Sequence, residues 1–239
     1  MAEIPRSTLV EKIASLYADR DRGEPPASAG SVLRVRPRHV LLESEPFPPP
    51  EEVFDERQGV RPPTDAADPA RWMLQEGFVI PGCFCAGTGA GVHGFGAVSA
   101  LSAGLERGDV AEVLRTGRID YVVPASSRLR VAPGEEGASI ASRIHLGARE
   151  FPGHAIEVIG ELARIPVEER VDLAERGVSD GAAAVLFPWD EVLRDWFDQR
   201  AAAFTERGDR PRKITEKLVA KFGRTVLAGD AGANYAALL

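Results

Sequence analysis

The sequence predicts an α/β protein with a mostly parallel sheet. Short apolar runs, such as residues 119–123, alternate with amphipathic segments along the chain, as in repeated strand-helix units. A glycine-rich loop, residues 87–96, follows an apolar run and the Pro81-Gly82 break, an order typical of the carboxyl end of a strand. The 239 residues are 44% hydrophobic, which is enough to bury a substantial core.

The first half is predicted to contain two helices and two strands before the glycine loop. Thr8 and Glu11 form a capping-box pattern, so a helix is expected from residue 9, with Leu9, Ile13, Leu16 and Tyr17 on its packed face. The remaining segments are two strands at 31–37 and 39–42, a proline-rich connection at 47–63 and a short helix at 69–77 that ends at glycine. The Ala-rich segment up to Ala103 is predicted as a buried helix.

The second half is predicted to alternate strands and helices in the same way. The turn at residues 132–137 is expected to separate two subdomains, 1–132 and 133–239. Strands are expected at 119–124, 128–131 and 182–187, and helices at 109–117, 139–149, 155–163, 166–175, from Pro188 onward and at 210–223. The helix after Pro188 should bury Val192, Leu193, Trp196 and Phe197 on one face.

A series of short motifs carries a family resemblance. They are residues 9–13, 38–43, 81–97, 109–117, 123–126, 151–160 and 181–191. Their order and spacing over residues 7–239 resemble the large subunit of the aconitase and 3-isopropylmalate dehydratase family. The resemblance implies aconitase-like N-terminal α/β/α domains and a crevice that binds small carboxylates.

The chain also departs from that family at chemically important positions, so it is expected to be a truncated and degenerate member. Where the family has G-D-S-H-T, this chain has residues 87–91, Gly-Thr-Gly-Ala-Gly, without the acid, hydroxyl and imidazole. The family's D-H pair falls on Asp65-Ala66. The third domain, which carries three cluster cysteines in the family, is expected to be absent, and we expect no iron–sulfur cluster and no other cofactor.

Candidate site residues follow from the glycine loop and from side-chain chemistry. His93 lies within the loop and could exchange protons near pH 6 to 7. The catalytic candidates are His93, Cys85, and His154 with Glu157, the last two expected on one helix face. The candidates for substrate binding are Gly87, Thr88, Gly89 and Gly91 through their backbone, and Arg38, Arg128 and Arg143 through their guanidinium groups. No metal ligands are predicted.

Several alternatives stay open for the loop. Residues 89–94 satisfy G-x-G-x-x-G with Asp109 twenty residues on, but Asp109 lies in a helical pattern, so a dinucleotide site is not favoured. Cys83 and Cys85 are interpreted as two small buried residues, as a thiol activated by the loop, or as metal ligands with His93.

Composition excludes some functions. The formal net charge of −7 argues against nucleic acid as a partner. The sequence has neither an 18-residue apolar run nor a signal-peptide pattern, so no membrane association and a cytoplasmic location are expected.

Two functions remain. One is a cluster-independent lyase, isomerase or cyclase acting on a small carboxylate. The other is a non-catalytic scaffold or regulatory subunit. A homo-oligomer, or a partner chain that supplies the missing domain, is expected.

Overall fold

The computed structural model describes residues 6–19, 26–43, 58–208, 214–224 and 228–239. Its helices are α1 (Leu9–Tyr17), α2 (Pro69–Gln75), α3 (Arg107–Thr116), α4 (Gly137–Glu150), α5 (Val167–Ser179), α6 (Glu191–Glu206) and α7 (Glu216–Phe222). Its strands are β1 (Val32–Val35), β2 (His39–Leu41), β3 (Gly59–Val60), β4 (Phe84–Gly87), β5 (Leu101–Gly104), β6 (Ile119–Val122), β7 (Ser126–Val131), β8 (Ala155–Gly160), β9 (Ala184–Leu186) and β10 (Ala237–Leu238). A 3₁₀ helix, Ala90–Val98, lies between β4 and β5.

The strands form two parallel sheets and one antiparallel pair within the described residues. The first sheet has the order β3-β2-β4-β5 and the second has the order β10-β7-β8-β9. Every pairing inside these two sheets is parallel, whereas β1 and β6 pair antiparallel. The predicted α/β class with a mostly parallel sheet is confirmed. None of the helices in the described ranges is long and apolar enough to cross a bilayer.

Local sequence signals explain the starts of several helices. The Thr8 side chain accepts a hydrogen bond from the Glu11 amide, and the Glu11 carboxylate accepts one from the Thr8 amide, as the capping box predicts. Asp68 caps α2, which has Pro69 in its first turn, and Asp190 caps α6. One expectation for α1 is wrong. Leu16 is 50% exposed instead of packed.

The 3₁₀ helix joins the two sheets. Phe95 shares one apolar core with Val171 of α5 and Phe197 of α6. The Phe187 amide donates to the Gly96 carbonyl at 2.9 Å, so the backbone of the 3₁₀ helix touches the end of β9. The subdomain boundary near residue 132 stays a prediction, and β7, which precedes it, pairs with β8 from the second half.

Three predicted helical segments need correction. Residues 155–160 form the parallel strand β8, because this apolar, β-branched run is buried and pairs on both sides. The Ala-rich segment is a 3₁₀ helix that ends at Ser99, and residues 101–104 then form β5. Helix α5 continues past Gly177. A Cβ there would lie 2.5 Å from Val185 Cγ2, so this glycine permits close packing and does not end the helix.

Most of the remaining predicted elements lie near their observed positions, but the strand expected before the Pro81-Gly82 break lies after it, as β4. The predicted face of α6, including Leu193, Trp196 and Phe197, packs in the core as expected. Residues 44–57 and 209–213 lie outside the described residues. The first range contains most of the predicted proline-rich connection, and the second contains the start of the helix predicted at 210–223.

Candidate functional site

The two edges of the first sheet carry different groups. The carboxyl edge is where Leu41, Gly87 and Gly104 stand side by side in register, and the glycine loop follows from it. At the amino edge, Arg38 precedes β2 and the turn at residues 81–82 precedes β4. At about 3.3 Å per residue, the two edges are about 10 Å apart.

Carboxylates surround the glycine loop. A Cβ on Gly89 would lie 1.9 Å from Glu43 Oε2, and one on Gly91 would lie 3.8 Å from Asp68 Oδ1 and 4.0 Å from Glu175 Oε1. Burial raises the pKa of Glu43, and Asp68 adds to that increase. Burial also raises the pKa of Glu175. A second anion placed against this loop would be repelled by these groups.

The loop residues also have structural reasons to be small. A Cβ on Gly87 would lie 2.5 Å from Val92 Cγ1, and one on Gly91 would lie 2.9 Å from the Ala70 Cβ. Thr88 Oγ1 accepts a hydrogen bond from the Glu43 amide at 3.3 Å. Anion binding by Gly87, Thr88, Gly89 and Gly91 therefore stays a prediction that the local charge does not favour.

His93 faces a separate cavity at the same carboxyl edge. The cavity has a volume of about 240 Å³ and is lined by His93, by residues 102–105 and by Tyr121, with Asp109 and Asp120 among its other residues. A Cβ on Gly104 would lie 3.3 Å from His93 Nε2, so the glycine leaves room beside this nitrogen. The other ring nitrogen, Nδ1, is buried and has no hydrogen-bond partner in the described structure.

Burial sets the ionisation of the groups in this cavity. Desolvation lowers the pKa of His93 below its ordinary value of 6.5, so the imidazole is neutral at pH 7. Burial raises the pKa of Tyr121, so its hydroxyl stays protonated. Asp109 accepts a hydrogen bond from the Glu106 amide, and Asp120 pairs with Arg34 at 3.0 Å. The cavity thus offers a neutral base, a phenol donor and two carboxylates that already have partners.

Cys85 is not placed for proton transfer at neutral pH. It is fully buried in β4, and its Sγ lies 3.6 Å from that of Cys83. The hydrogen bond with Cys83 and the burial raise the pKa of Cys85 well above its ordinary value. The structure therefore gives Cys85 a place in the core, not in the His93 cavity.

His154 and Glu157 belong to the second sheet and do not share a helix face. Residues three apart in an extended segment point to opposite faces. His154 Nδ1 lies 2.8 Å from Ser127 Oγ. The buried Glu157 carboxylate accepts hydrogen bonds from the Val10 amide at 3.2 Å and from the Tyr235 hydroxyl at 2.5 Å. Glu157 thus holds α1 and the C-terminal segment against β8.

The three predicted arginines do not converge on the glycine loop. Arg38 directly precedes β2 and lies at the opposite sheet edge, because the amino ends of parallel strands share one edge. The Arg128 guanidinium lies 3.8 Å from the centre of the Tyr235 ring. Arg143 donates to the Leu239 carbonyl at 2.9 Å and pairs with Glu135 at 2.9 Å. Arg128 and Arg143 therefore fix the C-terminal segment and α4.

An iron–sulfur cluster does not fit the thiols of this chain. Such clusters are held by several cysteine thiolates, whereas the sequence has two cysteines and both are buried in the core of the first sheet. Among the described residues, no group of three or more His, Cys, Asp or Glu side chains is arranged to hold a metal ion.

Sequence reasoning missed most of the cavity around His93. Ser102 and Gly104 were not predicted as cavity residues because β5 was interpreted as helix. Tyr121 was not predicted because it lies on β6 of the antiparallel pair, which only the fold brings to the cavity.

Fold and site together define an α/β protein with parallel sheets and a histidine-lined cavity at a carboxyl edge. No protein-family model matches the chain. Mitochondrial homoaconitase from Eremothecium gossypii is 30% identical over an alignment of 160 positions that covers 63% of this chain and 23% of that protein. Mitochondrial homoaconitase from Neurospora crassa is 27% identical over an alignment of 177 positions that covers 69% of this chain and 22% of that protein.

A longer match covers nearly the whole chain. Mitochondrial homoaconitase from Gibberella zeae is 22% identical over an alignment of 275 positions, gaps included, that covers 96% of this chain and 35% of that protein. The chain therefore spans about a quarter to a third of the length of the curated relatives it matches. Over that part it is similar to proteins of the aconitase family.

Proposed function

We propose that the chain forms one wall of an aconitase-family hydro-lyase or isomerase site for a small carboxylate, with His93 as its acid-base residue. The observation that carries this proposal is the neutral His93 imidazole in a cavity at the carboxyl edge. Parallel α/β sheets bind their ligands at this edge. Removal of a proton next to a carboxylate requires a deprotonated base within hydrogen-bond reach, and for histidine that form is the neutral imidazole.

The cavity lacks a cation for the carboxylate of such a substrate. Among its described lining residues there is no Arg or Lys, and Asp109 and Asp120 are acidic. We therefore propose that the cationic contacts come from a partner chain or a second copy of this chain. The names of the relatives place those proteins in mitochondria, while a cytoplasmic location for this chain stays a prediction from sequence.

Replacing His93 with glutamine tests the role of the imidazole. The parent is expected to exchange a substrate proton with deuterated solvent for at least one small di- or tricarboxylate. The His93→Gln variant should be slower by about a hundredfold or more, because general acid-base catalysis is worth that much. Proton NMR of the substrate measures the exchange, and thermal unfolding checks that the variant is folded.

A second histidine provides the matched control. His145 lies on α4 and pairs with Asp180 at 3.0 Å, away from the cavity. The His145→Gln variant should exchange at the parent rate. If His93→Gln keeps full exchange, another group is the base.

We also propose that this reaction uses no iron–sulfur cluster bound by the chain's own cysteines. Purification without oxygen, followed by iron and sulfide analysis, should give far less than one cluster per chain. A Cys83→Ala, Cys85→Ala double variant should give the same low values. Stoichiometric iron and sulfide that disappear in the double variant would overturn this proposal.

A non-catalytic role as a scaffold or regulatory subunit is the second candidate function. The observation that favours it is the set of carboxylates around the glycine loop, which does not suit an anionic substrate. If the parent chain exchanges no proton with any small di- or tricarboxylate, either alone or with a partner that co-purifies, this second function is the better account.

A further inference from the structure

A second cavity lies at the amino edge of the first sheet, on the side opposite to His93. It has a volume of about 500 Å³, which is within the range of small-molecule sites. The end of α1, the turn before β4, Ser99 and helix α7 enclose it. Arg38 lies at this edge because it directly precedes β2.

The lining of this cavity is cationic. Arg38 and Lys221 are its charged residues among those described, although the whole chain has 36 acidic and 29 basic residues. The Arg38 guanidinium hydrogen-bonds the Tyr17 side chain, which leaves most of its five N–H donors for other groups. In the described part of the chain no carboxylate pairs with Arg38. An anionic group is therefore the natural ligand of this end of the cavity.

The other walls are apolar and aromatic. The Trp189 and Phe222 rings meet edge to face, with centroids 5.6 Å apart, and both line the cavity. Leu16 of α1 also lines the cavity, and this position explains why its side chain is half exposed. Aromatic walls favour a flat or branched apolar body in the ligand.

The backbone at Ser99 is held in an uncommon conformation beside this cavity. Ser99 has a φ of 60°, and it is the one non-glycine residue with positive φ in the described ranges. Its hydroxyl donates to the Phe187 carbonyl at 2.6 Å, and its carbonyl accepts from the Gly82 amide at 2.9 Å. Such conformations persist where the surrounding structure fixes them, and they are concentrated at binding sites.

We propose that this cavity is a second binding site, for a small carboxylate with an apolar body. The carboxylate pairs with the Arg38 guanidinium, and the apolar body packs against Trp189 and Phe222. The site is separate from the His93 cavity and does not depend on the function proposed for it.

Calorimetric titration with benzoate tests this site, with benzamide as the neutral probe of the same shape. Benzoate should bind the parent saturably, and benzamide should bind at least about tenfold more weakly, because a charge-assisted pair is lost. The Arg38→Gln variant should weaken benzoate binding by the same factor. The Arg38→Lys variant keeps the charge but loses the planar guanidinium group. Its affinity for benzoate should therefore lie between those of the parent and of Arg38→Gln.

An exposed arginine on the second sheet provides the control for charge alone. The Arg130→Gln variant changes the net charge equally and should bind benzoate within about twofold of the parent. The proposal is overturned if benzoate shows no saturable binding, if benzamide binds as well as benzoate, or if folded Arg38→Gln binds benzoate like the parent.

Discussion

The Gly96→Ala variant is expected to lose about 3 kcal/mol or more of its free energy of unfolding. A Cβ on residue 96 would lie 1.8 Å from the Val185 carbonyl oxygen, which is far inside van der Waals contact. This obstacle is backbone, so it cannot turn away as a flexible side chain could. The 3₁₀ helix would have to separate from β9, and the Gly96 to Phe187 hydrogen bond would be lost with it.

Urea unfolding followed by circular dichroism measures this loss. The Gly108→Ala variant is the matched control, because a Cβ there meets nothing within 4 Å and residue 108 lies in α3. Its free energy of unfolding should equal that of the parent or exceed it by up to about 1 kcal/mol. Equal stabilities of the two variants would show that the 3₁₀ helix does not join the sheets as described.

The Arg170→Met variant is expected to lose about 3 kcal/mol. Arg170 on α5 is 0% exposed and pairs bidentately with Asp190, at 3.1 and 2.6 Å. Its guanidinium also donates to the Ile165 carbonyl at 3.0 Å and to the Leu162 carbonyl at 3.1 Å. Methionine fills a similar volume but removes the guanidinium donors to the Asp190 carboxylate and to the two carbonyls.

The same unfolding measurement tests this loss. Arg176 lies on the same helix and is exposed, so Arg176→Met should change the stability by less than about 0.5 kcal/mol. An Arg170→Met variant as stable as Arg176→Met would mean that the ion pair of Arg170 with Asp190 makes no net contribution to the free energy of unfolding.

The sequence predicts those elements whose signal is local. The capping box at Thr8 and the cap at Asp190 act within one turn, so both helices begin close to where they are expected. Strands β5 and β8 were missed because a strand buried on both faces does not alternate, and its run resembles a buried helix. Pairing with neighbouring strands decides whether such a segment forms a strand or a helix, and the sequence alone does not show that pairing.

The same limit applies to the candidate site. The position of His93 follows from the glycine loop, but its neighbours Gly104 and Tyr121 come from other strands that only the fold brings together. Arg38 was expected to bind the same substrate as the glycine loop, although it precedes β2 in the sequence. In a parallel sheet this order alone assigns it to the amino edge.

The ionisation of His93 tests whether its imidazole is the base of the cavity. The sequence suggested a transition near pH 6 to 7, but burial lowers the pKa of His93, so the neutral base should persist below pH 6.5. NMR titration of the ring should give a pKa below 6.5, and proton exchange of the substrate should rise with pH through that same value. His93 should likewise contribute stability above pH 6.5 that is lost as the pH falls and the unfolded chain takes up its proton. A His93 pKa above 6.5, or an exchange profile that His93→Gln leaves unchanged, would show that His93 is not the neutral base.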